Sequence, residues 1–96
     1  MRTVVFISQP MNNRNNIELK RERRELVKQL KKEGYEVLNT IFDLGDKATP
    51  MHYLAKSIEM MSDADVVYFM PGWQNARGCV IEHEVALRYG KYVKEL

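Results

Sequence analysis

Two short, continuously apolar runs, Thr3–Ser8 (TVVFIS) and Val66–Met70 (VVYFM), each end at a turn signal, and helical periodicity lies between them. β-rich runs of this length read as strands buried on both faces. Such strands need helices above and below the sheet. The rest of the chain supplies them. Ile17–Glu33 repeats apolar residues at 19, 26, 27 and 30, a helical spacing, and Gly34 follows where a C-terminal cap belongs. Tyr35–Leu38 reads as a second strand and 40–49 as irregular chain. Pro50 opens a helix to about Met61. After Pro71-Gly72 a third helix starts near Gly78 and stops at Gly90, and Tyr92–Glu95 reads as a short fourth strand. Alternating strands and helices imply parallel pairing through right-handed crossovers. The expected fold is one α/β domain over residues 1–96: three α/β/α layers, a four-stranded parallel sheet, flavodoxin- or Rossmann-like.

Composition narrows the function classes. At 96 residues and 45% hydrophobic, the chain has room for one modest core. No run approaches the roughly 18 apolar residues of a membrane span. MRTVVFISQPM reads as a strand, not a signal peptide. The single cysteine, Cys79, cannot form an internal disulfide or a cysteine zinc site, so a reducing cytoplasm is expected, with no metal and no cofactor. A net charge of +2 is a weak argument for nucleic acid. Seven basic residues between Lys20 and Lys32 alternate with glutamates, which reads as a solvated face or, less economically, a nucleic-acid stripe.

Ligands of open parallel sheets bind at the carboxyl ends of the strands. Three segments leave those ends: Ser8-Gln9-Pro10-Met11, the 40s loop, and Pro71–Gly78. The last is richest, with Trp73, Asn75 and Arg77 leading into a helix N-terminus that favours anions. Trp73 can stack on a nucleobase or pack on the domain edge. On a helical wheel Glu82 shares its face with Gly78, Cys79, Val85, Ala86 and Tyr89, a stripe that should face the sheet near the helix's first turn. A carboxylate there is costly unless paired or used. Glu82 is therefore a candidate catalytic group, or else a partner of backbone amides or Arg77. His83 and Glu84 read as solvated, and His52 has no visible partner. Cys79 lacks a base. Val80 and Leu87 lie on the outward side and hint at a partner helix in a homodimer, or are ordinary exposed residues.

The pattern Gly78-x-x-x-Glu82-x-x-x-Ala86-Leu87-x-x-Gly90-Lys91-Tyr92-Val93 resembles the signature helix of the nucleoside 2-deoxyribosyltransferase superfamily. PGWQNARGCVIEHEVALRYGK, with the opening Phe6-Ile7-Ser8-Gln9-Pro10-Met11 where a YISGPM-like turn is typical, resembles more closely its DUF4406 branch. The resemblance implies a (deoxy)nucleoside or nucleoside monophosphate ligand, N-glycosidic bond cleavage by hydrolysis or transfer, and Glu82 as the nucleophile that forms a glycosyl ester; hydrolysis of the monophosphate is the expected reaction. Phe6, Ser8, Gln9, Pro10, Trp73, Asn75 and Gly78 would then line the site, with Arg14 or Arg77 on a phosphate. Four positions depart from the superfamily pattern. Phe6 replaces a tyrosine whose hydroxyl touches the nucleophile, and Gln9 replaces a glycine. Ser57 replaces an aspartate, and Ala76 stands where transferases have aspartate and nucleotide hydrolases serine. These departures favour the alternative, a non-catalytic nucleotide-binding or sensor module. A third reading is an interaction protein with a vestigial crevice.

Overall fold

The computed structural model describes residues 2–10, 16–40 and 43–96. Its elements are β1 (Val4–Ser8), α1 (Asn16–Lys32), β2 (Glu36–Val37), α2 (Pro50–Met61), β3 (Val66–Phe69), a one-turn 3₁₀ helix (Trp73–Asn75), α3 (Arg77–Arg88) and β4 (Tyr92–Glu95). The sheet order is β2-β1-β3-β4, with every pair parallel. This is the flavodoxin-type order, whose direction of winding reverses between β1 and β3.

Strand alternation assigns the two cores. Val5 and Ile7 pack with Leu30 and Met70, backed by Leu26 and Val27 of α1. Phe6, Val67 and Phe69 point to the other face and pack with Met61, Ala64 and Ala86 of the α2/α3 layer. Each fully buried side chain of this size contributes about 1.5–3 kcal/mol. Ser8 follows the same parity, so the last side chain of β1 emerges under α3 instead of α1. β2 is shorter than expected. It is an edge strand with only two pairings, Val4 with Glu36 and Val5 with Val37.

Local chemistry explains the helix that frames the site. Thr49 caps α2: its Oγ1 accepts from the His52 N–H at 3.3 Å, and the His52 Nδ1 accepts from the Thr49 N–H at 2.9 Å. His52 thus has a partner after all, three residues upstream, as in a capping box. At the opposite end of the sheet, Asp65 accepts from the Val4 N–H at 2.8 Å. Lys91 closes that end by donating to the Ala64 and Ser62 carbonyls. Among the described residues, no helix is long and apolar enough to cross a membrane.

Candidate ligand crevice

A cavity of about 280 Å³ opens at the carboxyl ends of the strands, beside the point where the winding reverses. That volume is near the lower end for small-ligand sites. Phe6, Ser8 and Gln9 form its floor at the end of β1, and Ala76, Gly78, Cys79 and Glu82 form the α3 wall. Tyr53, Leu54 and Ser57 of α2 face them, while Thr40 and Arg23 close the β2 side. Gln9 is held by its amide, which donates to the Leu19 carbonyl at 3.0 Å.

Glu82 lies in the second turn of α3 and is 7% exposed. The Ser8 hydroxyl donates to its Oε1 at 2.5 Å, a length typical of a charge-assisted bond. Burial pushes the carboxyl above the ordinary range, and hydrogen bonds from Ser8 and Ser57 pull it back. The Ser8 hydroxyl on the buried carboxylate, with a lesser contribution from Ser57 across the crevice, keeps a charged form accessible that burial alone would suppress. Ser57 is therefore more than a lost aspartate; it supports Glu82. The same burial, reinforced by the charge of Glu82, pushes the Cys79 thiol up to about 11. This thiol is inert at neutral pH.

The expected site residues divide. Phe6, Ser8, Gln9, Gly78 and Glu82 meet in the crevice. Pro10 is buried beside Gly72 instead of lining the cavity. Asn75 and Arg77 are exposed and outside it. Trp73 does not line the crevice either. The 3₁₀ turn carries its ring onto His83, stacked at 4.2 Å and 14°, with Phe69 at 5.4 Å. Consequently His83 is not solvated: Phe69 meets its ring edge-on and its Nε2 lies 2.8 Å from Glu95. Tyr89 also departs from the expected buried stripe. It follows the last turn of α3 and is 78% exposed. Glu84 is solvated and pairs with Arg88 one turn later. Arg14 lies outside the described residues, as does Met11.

Arg23 is the residue that the reading of α1 as a solvated face missed. Six of the seven basic residues of the helix are exposed, but Arg23 is 7% exposed. The signal was present. Arg23 is four residues after Leu19, three and four before Leu26 and Val27, and these lead at four and three to Leu30, so Arg23 occupies the helix's buried stripe.

Together these features define a doubly wound α/β domain with a small-ligand crevice and a buried, hydroxyl-supported carboxylate. The family described as a domain of unknown function, DUF4406, matches residues 3–95, and the chain belongs to that family. No curated protein matches it.

Proposed function

We propose that the crevice binds a nucleoside or nucleotide and cleaves its N-glycosidic bond, with Glu82 as nucleophile. The observation that carries this reading is the placement of Glu82. It is a buried carboxylate in the wall of a strand-end crevice, oriented by Ser8. The kinship with the nucleoside 2-deoxyribosyltransferase superfamily, suggested by the Gly78–Val93 pattern, belongs to the same proposal.

In the first step a carboxylate oxygen of Glu82 attacks the anomeric carbon. The electrons of the carbon–nitrogen bond leave with the base, which takes up a proton. A glycosyl ester remains on Glu82. In the second step water attacks the same carbon, losing a proton to solvent as the carboxylate departs, so two inversions give net retention. Ser8 and Ser57 orient the nucleophile, and the apolar surroundings limit water around the ester. Hydrolysis is preferred to base exchange because Ala76 stands where transferases carry aspartate. A homodimer covering Val80 and Leu87, which are 43% and 54% exposed, completes the proposal.

A second reading is binding without turnover. It is favoured by Phe6, which brings no hydroxyl to the crevice beside Glu82. Chromatographic assay of free base from nucleosides and 5′-nucleotides separates the two. Release by the wild type that vanishes in Glu82→Gln supports the enzyme. Binding without release supports the module.

A further inference from the structure

We propose that Arg23 is the anion-binding residue of the crevice, and that the basic groove behind it takes further phosphates, making the ligand a nucleoside di- or triphosphate. This inference deepens the nucleotide reading and rests on it.

Arg23 reaches from α1 around the end of the sheet into the crevice wall opposite Glu82. Glu82 stands by the β1/β3 end and Arg23 by the segment that follows β2. A guanidinium carries five N–H donors in a planar fork. Among the described residues, Arg23 makes one hydrogen bond, from Nη2 to the Leu38 carbonyl, and it is long at 3.4 Å. Its remaining donors are not sealed from solvent: among the described residues no buried side-chain nitrogen lacks a partner, so they open onto the hollows that Arg23 lines, where an anion can take the place of water. No carboxylate on the crevice wall does so: Glu82 is held by Ser8.

Arg23 also lines a second hollow of about 370 Å³ along α1 and β2, with Lys20, Arg24, Lys31 and Asn39. That groove has four cations and no acidic residue among its lining residues. The glutamates of α1 lie elsewhere on the helix. Arg23 is the partition between crevice and groove. A phosphate bound to its fork from the crevice side would direct the next phosphate toward Lys20, Arg24 and Lys31. Bidentate guanidinium–phosphate pairing fits the first contact, and the flexible lysines fit the trailing charges.

The test is calorimetric binding of the whole protein at low salt. The probes are inorganic phosphate, pyrophosphate and tripolyphosphate, then each nucleoside with its 5′-mono-, di- and triphosphate. Affinity should rise with each phosphate, by about tenfold for the first contact. Arg23→Met should lose that tenfold for every phosphate ligand. Lys20→Gln with Lys31→Gln should bring the diphosphate down to the affinity of the monophosphate. Equal affinity across the series overturns the proposal, as does a folded Arg23→Met that binds like the wild type. Should Arg23→Met fail to fold, competition on the wild type decides: pyrophosphate that displaces no nucleoside diphosphate refutes the anion site. Base release separates this inference from the reading beneath it. Phosphate-dependent binding through Arg23 without base release leaves the anion site standing and removes the glycosidase. Release equal for nucleosides and nucleotides, in wild type and Arg23→Met alike, does the reverse.

Discussion

Replacing Ser8 by alanine removes the hydroxyl that donates to Glu82 and little else. Ser8 is 2% exposed, and the change deletes one oxygen without opening a sizeable cavity. A hydrogen bond to a charged acceptor is worth about 1.5–3 kcal/mol, and a buried carboxylate that loses a donor keeps its desolvation penalty. Ser57 supports Glu82 from the other side, so a loss of about 2 kcal/mol is expected, or roughly 10 °C in Tm for a domain of this size. The effect depends on pH. The bond favours the ionised form, so its contribution is present above the Glu82 pKa and is lost as pH falls through that value. Urea unfolding at pH 8 should show the full difference, and at pH 4 the two proteins should converge to within about 1 kcal/mol. The Ser8 bond holds the Glu82 carboxyl down against burial, so Glu82 itself should titrate higher in the variant. Where base release is measurable, its acid limb moves up with it. An unchanged unfolding free energy at pH 8, with an unshifted acid limb, would refute the claim that Ser8 stabilises a charged Glu82.

Wild-type stability should run against activity in the acid range. Burial raises Glu82 above its unfolded value, so stability falls as pH rises between the two values while the ionised form, the proposed nucleophile, accumulates. A Glu82→Gln protein that retains the same slope in pH-dependent unfolding would contradict this. Trp73→Ala should cost about 2 kcal/mol in unfolding free energy, because the ring stacks on His83 and meets Phe69 at a tilt. Ligand affinity should not change; a tenfold loss would place the ring on the ligand instead. Cys79, with its thiol pushed up to about 11, should resist alkylation at pH 7.5 in the native protein and react promptly in urea, as read by intact mass. Fast native labelling would mean that Glu82 and burial do not hold the thiol protonated.

How much of this was legible in the sequence depends on whether the cause was local. Pro50 marks the start of α2 because a proline at the first helical position is a local preference, and Thr49 before it is the cap. The apolar runs locate β1 and β3 within one residue at each end. Glu82 stood out because helical geometry alone places it on the buried stripe. Arg23 was equally legible by the same wheel and was obscured by its charged neighbours. Other features depend on tertiary placement. Trp73 and His83 are ten positions apart, and only the 3₁₀ turn after β3 folds one ring onto the other. Arg77 looked like a phosphate ligand from its place at a helix start, yet the first turn of α3 directs it outward while Ala76, Gly78 and Cys79 face the crevice. Ser57 reads as a missing aspartate in the sequence, and only the packing of α2 against α3 places it in the same crevice as Glu82.

The central claim is that Glu82 forms a bond to the sugar. Intact-protein and peptide mass spectrometry after acid quench of a nucleotide turnover tests it most directly. The account predicts a mass increase of one glycosyl unit, mapped to the peptide containing Glu82 and absent from Glu82→Gln. Base release without an adduct at Glu82, or undiminished in Glu82→Gln, would contradict it.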